Sequence, residues 1–377
     1  MRLAVVLAVA VIVLAPSVSG AAKAPKRVPQ VIVETDVSFD DIAALAYLGE
    51  AHKDGLIKLR AVIVSSNGVG LRGHARANVE CLFYTKLGLS PAEVPITDDD
   101  PPPEGREAPN KFPAFLQALN DEDVHFALEN ARGPDCEHTA GETAPQYQDE
   151  VKDVDDAVQL LRDSILGSLA PVRLITLGAM TTVDVGLEDS RVVERIRDVF
   201  TMGGSTVGGT LFPAPETEGF DGSQEFNFWL DPPAIQRVIA LVDGPRTPKM
   251  TIVPIDATNF VPLIEAFRLR LADDRTTAAA DVVYYLAVRL AAGEGPPPFL
   301  FWWDPLAVVS SMFPGVVEFE DKRVRVVTAD ENQDPDLSNV GELIVDDTNG
   351  TEVRLGTSAD PDRFHDIFID MLNSRLG

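Results

Sequence analysis

Short apolar runs alternate along the chain with segments in which apolar residues recur at helical spacing. The runs typical of buried strands lie at residues 30–34, 59–64, 94–96, 172–177, 198–202 and 249–254. Helical spacing is found from residue 40 onward and at residues 76–87, 153–169, 192–197 and 234–241. This alternation predicts an α/β fold, in which helices flank a doubly wound, mostly parallel sheet with a Rossmann-like core. Active sites in such folds form at the carboxyl ends of the strands.

Residues 97–148 interrupt this alternation. The segment begins with an acidic, proline-rich run at 98–103 and carries few signals of regular structure. We expect it to be loop-rich, either as a lid or insertion beside the site or as a plain surface excursion. A chain of 377 residues is long enough for one large α/β domain or two ordinary ones.

The N-terminus has the features of a secretory signal peptide over residues 1–22. Arg2 precedes an apolar run at 3–15, and small residues follow at 17–22. The apolar run is shorter than the roughly 20 residues that a membrane span needs. We therefore expect a secreted or periplasmic protein with no stable membrane association after cleavage; an uncleaved anchor is the alternative.

The charge of the chain argues against one class of partner, and its cysteine content leaves two structural alternatives open. The formal net charge is −27, from 59 acidic and 32 basic residues. Such a chain is a poor partner for nucleic acid, which is bound through clustered Lys and Arg side chains. The two cysteines, Cys81 and Cys136, fit either a disulfide in an oxidising compartment or two separate buried thiols.

An acidic turn directly follows the first predicted strand. It contains Glu34, Asp36, Asp40 and Asp41, four carboxylates within eight residues. Helix capping explains one or two acids at such a place, but four beside a buried strand would repel one another and lose hydration. A hard divalent cation such as Ca²⁺, which takes six to eight oxygen ligands, would remove the conflict. The alternative is a solvated acidic turn without a ligand.

Five blocks in order resemble the inosine-uridine-preferring nucleoside hydrolase family. The acidic turn resembles the family's Asp-x-Asp-x-x-x-Asp-Asp signature, with Glu34 in place of the first Asp. The later blocks are LGAMTT at 177–182, FTMGG at 200–204, EFN at 225–227 with Asp231-Pro232, and WDPL at 303–306. The resemblance runs from about residue 30 to the C-terminus. It implies a single catalytic domain with a nucleoside hydrolase-like fold over residues 23–377, and cleavage of the bond between a ribose and a nucleobase.

The resemblance also implies a calcium site at the bottom of the ribose pocket. Carried over residue by residue, Asp36, Asp41 and Asp304 become carboxylate ligands, and the backbone carbonyl of Leu177 becomes another. Asp36 is then expected to be the general base that takes a proton from water. The implied cofactor is Ca²⁺.

The same resemblance assigns residues to a nucleoside substrate. Asp40 and Asn227 are expected to bind ribose hydroxyls, and Glu225 is expected to reach the far hydroxyl of the sugar. Asn67 matches a further substrate-binding Asn only after a shift of two or three positions. Thr210 stands where the family has an Asn ahead of the EFN block, across an apparent insertion.

Trp303 indicates which base is preferred. Pyrimidine-tolerant members commonly have His just before the last Asp, whereas Trp303 resembles the purine-preferring (inosine-adenosine-guanosine) branch, in which Trp stacks on the base. We expect Trp302 to be core packing. A second stacking aromatic is expected from Phe112 or Phe115.

Some alternatives stay open at this level. None of the five histidines falls in a matched block; His125 and His138, in the segment 97–148, could supply an acid. A nucleoside- or ribose-binding protein without turnover would keep the same pocket. An Asp-based phosphotransferase would need a nucleophilic Asp where this chain has Glu34. The resemblance further implies a homo-oligomer, either a dimer or a tetramer.

Overall fold

The computed structural model describes residues 28–99, 105–136, 157–241, 248–291, 300–332 and 336–377. In these ranges nine strands form one sheet in the order β3-β2-β1-β4-β5-β6-β9-β7-β8. The strands are β1 (Gln30–Thr35), β2 (Lys58–Val64), β3 (Ile96–Asp98), β4 (Val172–Thr176), β5 (Ile196–Met202), β6 (Lys249–Val253), β7 (Val317–Val326), β8 (Leu343–Val345) and β9 (Thr351–Ala359). All neighbours from β3 to β9 are parallel, and β7 pairs antiparallel with β9 and β8. The predicted fold class is confirmed.

Helices cover both faces of this sheet. They are α1 (Phe39–Lys53), α2 (Ala75–Glu80), α3 (Ala114–Asn130), α4 (Ala157–Leu166), α5 (Thr181–Leu187), α6 (Ser190–Val193), α7 (Phe226–Leu230), α8 (Pro232–Leu241), α9 (Ile255–Thr258), α10 (Glu265–Asp273), α11 (Ala278–Leu290), α12 (Trp303–Met312) and α13 (Pro361–Leu372). Val31 and Val33 of β1 belong to one apolar core, with α1, α11, α12 and α13. Ile32 belongs to the opposite core, with α4, α5 and α8. Burial on both faces explains why these strands are nearly continuous apolar runs.

Two sequence expectations are corrected by the structure. The segment 97–148, expected to be loop-rich, contains the 17-residue helix α3. Only the second half of α3 buries apolar residues (Val124, Ala127 and Leu128), so its helical spacing is weak in the sequence. The helix expected at 192–197 ends at Val193, and Ile196 already begins β5. An apolar run without clear period is ambiguous between the two structures.

Helix α2 continues directly into a π-helical turn, Cys81–Lys86, within the helical segment expected at 76–87. The structure joins Cys81 and Cys136 in a disulfide, the first of the two alternatives from the sequence. Lys86 adds to this fastening, because its Nζ donates to the carbonyls of Ala131 (3.1 Å) and Pro134 (2.7 Å). The chain that follows α3 is thus fixed against the helix that follows β2.

The expected signal peptide, residues 1–22, lies outside the described residues. So do residues 100–104 and 137–156, which fall within or directly after the expected lid or insertion at 97–148. Among the helices that the structure does describe, none combines the length and the apolar character needed to cross a membrane.

Candidate active site

The carboxyl ends of the central strands form the crevice in which the matched blocks meet. Strand β1 lies between β2 and β4, so the strand order reverses at β1. The acidic turn follows β1, and Leu177 directly follows β4. In open α/β sheets, ligands bind at such a reversal, outside the carboxyl ends of the strands.

The acidic turn is shaped by the start of α1. Ser38 caps this helix and forms a reciprocal capping box with Asp41, whose Oδ2 accepts from the Ser38 N–H at 2.9 Å. The Thr35 hydroxyl donates to Oδ1 of Asp41. Asp41 is therefore held in place by its own turn, with its side chain fully buried.

Val37, in the middle of this turn, adopts a left-handed backbone conformation with φ 64°. This conformation is rare for a β-branched residue and costs on the order of 1–3 kcal/mol. The cost is offset by the surrounding contacts. The Gly70 N–H donates to the carbonyl of Asp36 at 2.6 Å, and the Val37 N–H donates to the Thr35 hydroxyl at 3.3 Å.

The loop after β2 packs directly on Asp36. The Val69 N–H donates to Oδ2 of Asp36 at 3.1 Å. A Cβ atom at Gly68 would lie 2.1 Å from the same oxygen, so glycine is needed there for the close approach. The Asp36 carboxylate is 1% exposed and has a fixed orientation.

Asp304 reaches the acidic turn from the first turn of α12, more than 260 residues later in the chain. Its N–H donates to Oδ2 of Asp40 at 3.1 Å. One carboxylate oxygen from each of Asp40, Asp41 and Asp304 lies within 4.8 Å of the others. In the described part of the chain, Oδ1 of Asp304 is buried without a hydrogen-bond partner. The fold thus brings together the first and last matched blocks.

The buried carboxylates strongly perturb one another. Burial, followed by the charge of Asp41, raises the pKa of Asp40 to about 7 and that of Asp36 well above its usual range. Burial, followed by the charge of Asp40, likewise raises the pKa of Asp304. Burial and the charge of Asp99 raise the pKa of Glu34 to about 8. Within the described residues no Lys or Arg forms an ion pair with these groups, so their charge is uncompensated by the protein.

These residues fit a hard divalent cation. Carboxylate oxygens are the ligands that Ca²⁺ and Mg²⁺ prefer, and among the described residues Oδ1 of Asp304 has no hydrogen-bond partner that would compete with a cation. The tight triad contains Asp40, which the resemblance assigns to substrate, and omits Asp36. Asp36 still belongs to the same cluster, because the Asp41 charge is the largest electrostatic contribution to its raised pKa.

Asn227 and Glu225 lie on the β4–β5 side of the crevice. The Asn227 amide donates to the carbonyls of Leu177 (3.0 Å) and Met202 (3.4 Å). Glu225 caps α7, accepting from the N–H groups of Asn227 and Phe228, and it also accepts from Gly204 at 2.9 Å. Both side chains are buried, at 7% and 4% exposure, and each has its position set by backbone groups.

Three further residues lie around this cluster. Asn67 donates to the Thr181 hydroxyl at 2.8 Å, across the crevice from β2 to α5. The Thr210 hydroxyl accepts from the Phe226 N–H at 3.3 Å, so the structure places it beside the EFN block. Asp99, which sequence reasoning left in the acidic loop, is buried and accepts from the Thr182 hydroxyl at 2.7 Å. Its position directly after β3 is the signal that could have identified it.

The two adjacent tryptophans differ in burial. Trp302 is fully buried, with ring centroids 5.1 Å from Phe267 and 5.8 Å from Phe368. Trp303 is only partly buried and lies with its ring 6.0 Å from Phe39, the neighbour of Asp40. Its Nε1 is buried with no partner among the described residues.

The two phenylalanines proposed for base stacking differ in exposure. Phe112 is buried, 4.6 Å from the ring of Phe226 in the EFN block. Phe115 is 51% exposed and lies 6.3 Å from Phe212. Of the two, Phe115 is therefore the more accessible for stacking.

The four described histidines contact carboxylates, a backbone N–H group or aromatic rings. His74 pairs with Asp121 and His125 with Glu129, while His52 accepts from the Leu59 N–H. His365 is buried in an aromatic cluster. His138 lies outside the described residues.

Comparisons with known proteins identify the family and the fold. The family model for the inosine-uridine preferring nucleoside hydrolases matches residues 31–366. A search of curated proteins finds no significant match. Among solved structures, an inosine-uridine preferring nucleoside hydrolase from Bacillus anthracis has a TM-score of 0.68 at 18% identity, covering 92% of this chain and 99% of its own.

Two other solved structures are similar. A purine-preferring ribonucleoside hydrolase from Gardnerella vaginalis has a TM-score of 0.61 at 18% identity, covering 92% of this chain and 100% of its own. A plant nucleoside hydrolase has a TM-score of 0.64 at 16% identity, covering 92% and 99%. At these identities the structures establish a shared fold. From the family match over most of its length, the chain belongs to the inosine-uridine preferring nucleoside hydrolase family and is a hydrolase that acts on N-glycosyl compounds.

Proposed function

We propose that the chain hydrolyses purine ribonucleosides to ribose and free base, with Ca²⁺ as cofactor and Asp36 as general base. The observation that carries the proposal is the buried carboxylate cluster, which joins the turn after β1 to the start of α12 at the carboxyl ends of the strands. A carboxylate set of this kind, beside a crevice, suits cation binding and attack on a sugar.

Asp36, Asp41, Asp304 and the Leu177 carbonyl would hold the cation. When bound, it would supply the positive charge that compensates the cluster and makes a nearby water more acidic. The Val69 N–H fixes one oxygen of Asp36, so this carboxylate is oriented to accept the proton of the attacking water. The water oxygen then bonds to the anomeric carbon. The C–N glycosidic bond breaks, and its electron pair leaves with the nitrogen of the base.

The remaining polar residues bind the sugar. Asp40 and Asn227 take ribose hydroxyls, and Glu225 takes the hydroxyl at the far end. The carboxylates of Asp40 and Glu225 also stabilise the oxocarbenium-like transition state, in which positive charge develops on the ribose ring. Because Glu225 and Asn227 are held by backbone contacts, they need no rearrangement when the sugar binds.

Trp303 supports a purine rather than a pyrimidine. Its ring lies beside Phe39, next to Asp40, and its face would stack on a bicyclic base. Stacking makes a purine more basic, so the base can take a proton from solvent as it leaves. Phe115 is the second stacking residue in this proposal.

The test is base release by residues 23–377 from inosine, adenosine, guanosine, uridine and cytidine, with and without a chelator. We expect purine release that the chelator abolishes and Ca²⁺ restores. Asp36→Asn is expected to lower kcat by about 10²–10⁴-fold. The matched control is Asp274→Asn, which removes an exposed carboxylate paired with Arg375 and is expected to be neutral. Ribose and Ca²⁺ binding without turnover would instead indicate a binding protein on this scaffold.

The proposal also covers the export of the chain and its oligomeric state. We propose that residues 1–22 are removed on secretion or transfer to the periplasm, and that the mature chain forms a homo-oligomer that takes part in nucleoside salvage. The N-terminal sequence of the exported protein and its mass by light scattering test these two statements. An intact N-terminus in the membrane fraction would contradict the first, and a monomer would contradict the second.

A further inference from the structure

Helix α3 directs two amide side chains at the loops that hold the carboxylate cluster. The Gln117 Nε2 group donates to the carbonyl of Gly68 at 2.7 Å. The Asn120 Nδ2 group donates to the carbonyl of Val37 at 2.9 Å. Because the two amides are three residues apart, they lie on the same face of the helix.

Each of these carbonyls belongs to a peptide group whose N–H binds a carboxylate of the cluster. The peptide from Gly68 to Val69 accepts from Gln117 at its oxygen and donates to Oδ2 of Asp36 at 3.1 Å. The peptide from Val37 to Ser38 accepts from Asn120 at its oxygen and donates to Oδ2 of Asp41 at 2.9 Å. One peptide group thus links each amide to one carboxylate.

This arrangement has an orienting and an electrostatic effect. A peptide held at both ends cannot rotate, so the N–H stays directed at its carboxylate. A donor at the carbonyl oxygen also polarises the peptide and strengthens its N–H as a donor. The second peptide needs such support in particular, because Val37 has the unfavourable φ of 64°.

Helix α3 is itself fixed near its middle and after its C-terminal end. Near its middle, Asp121 accepts from the Asn78 amide (3.1 Å) and pairs with His74 (2.8 Å), both in or beside α2. After its C-terminal end, Arg132 pairs with the buried Asp281 of α11, and Cys136 is bonded to Cys81. The helix therefore offers the two amides from a rigid support rather than from a moving lid.

We infer that Gln117 and Asn120 are positioning residues of the active site, acting on Asp36 and Asp41 through the peptides Gly68–Val69 and Val37–Ser38. The inference rests on the proposed function and deepens it. In this inference helix α3, which lies within the segment expected to be loop-rich, holds the general base Asp36 and the metal ligand Asp41 in position.

The test uses Gln117→Met and Asn120→Leu, which keep side-chain size and remove the donor. We expect each variant to lower kcat about 10-fold or more with KM changed less than about 3-fold, since misplacement affects the reacting group more than uniform substrate binding. Asn120→Leu is also expected to weaken Ca²⁺ binding, measured by calorimetry, because it acts on Asp41. Asn130→Leu is the matched control: this exposed amide of the same helix donates to the Phe126 carbonyl of its own helix.

Hydrogen–deuterium exchange separates this inference from the proposed function. Peptides covering residues 36–41 and 66–71 are expected to exchange faster in the two variants than in wild type, with the sheet strands unchanged. This readout holds even if wild type releases no base, which would count against the proposed function alone. Unchanged exchange and kcat in both variants would overturn the inference. Faster exchange throughout the sheet would overturn it as well, because it would indicate a general loss of stability.

Discussion

At the scale of single residues, the close approach at Gly68 restricts the position of the Asp36 carboxylate. We predict that Gly68→Ala lowers kcat by at least about 10²-fold, because its Cβ would lie 2.1 Å from the Asp36 oxygen and must displace either the loop or the carboxylate. Steady-state base release measures the effect. Gly88→Ala, at a positive-φ glycine with open space around it, is the control for backbone strain and is expected to keep its kcat. A kcat of Gly68→Ala equal to that of Gly88→Ala would contradict the close packing of Gly68 on Asp36.

His365 predicts a pH-dependent stability that is independent of the active site. Burial, with a smaller effect of Arg270, lowers its pKa from 6.5 to about 4, so the folded state favours the neutral ring. Below pH 6.5 the unfolded chain binds a proton that the folded chain does not, and stability is therefore lost as the pH falls toward 4. Between about pH 7 and pH 5 this loss is about 2 kcal/mol.

The measurement is urea unfolding at both pH values for wild type and His365→Leu. The variant removes the titrating group from the aromatic cluster around Phe267, so the part of the pH dependence that is due to His365 disappears. The difference between the two proteins isolates this one residue from the many carboxylates. A pH dependence that is the same in both would show that the ring is free to take up a proton in the folded state.

The sequence reveals some members of the buried carboxylate cluster and not others, for a physical reason. Asp36, Asp40 and Asp41 follow one strand and could be recognised as a turn, whereas Asp304 approaches from another helix and was found only through the family resemblance. Asp99 was missed, because an Asp in an acidic, proline-rich run has the composition of a surface loop. Its burial depends on the pairing of β3 with β2, which no local pattern encodes.

At the scale of elements, the disulfide and the π-helical turn fix the end of helix α3. Removing both sulfurs with Cys81→Ala and Cys136→Ala is predicted to lower the free energy of unfolding by about 2–4 kcal/mol, because the bond spans 55 residues and restricts the unfolded chain. Urea unfolding measures the loss. A thiol reductant should bring wild type to the curve of the double variant and leave the variant unchanged. A reductant-insensitive wild type would contradict the bond.

The elements themselves show which signals the sequence carries. The parallel strands were identifiable because burial on both faces makes them short, continuous apolar runs, as in β4 and β6. Helix α3 was not identifiable, because its first half lies at the rim of the site and presents polar side chains inward to backbone carbonyls. A helix whose function is to contact loops lacks the apolar stripe by which helices are usually recognised.

At the scale of the whole molecule, the net charge of −27 predicts that salt stabilises the fold. Acidic side chains are brought closer together on folding, and their repulsion acts over distances that about 0.1 M salt reduces to roughly 10 Å. Raising NaCl from about 10 mM to about 300 mM, with a chelator present, is therefore expected to raise Tm by roughly 2–4 °C.

Choline chloride at the same concentrations is the first control. It should raise Tm equally, because charge screening depends on ionic strength, whereas binding at a specific sodium site would respond to sodium alone. Asp304→Asn should keep the same salt dependence, since one charge of the buried cluster contributes little to the summed surface repulsion. A Tm that falls with salt would mean that favourable ion pairs, such as those of Asp184 with Arg106 and Arg237, outweigh the net repulsion.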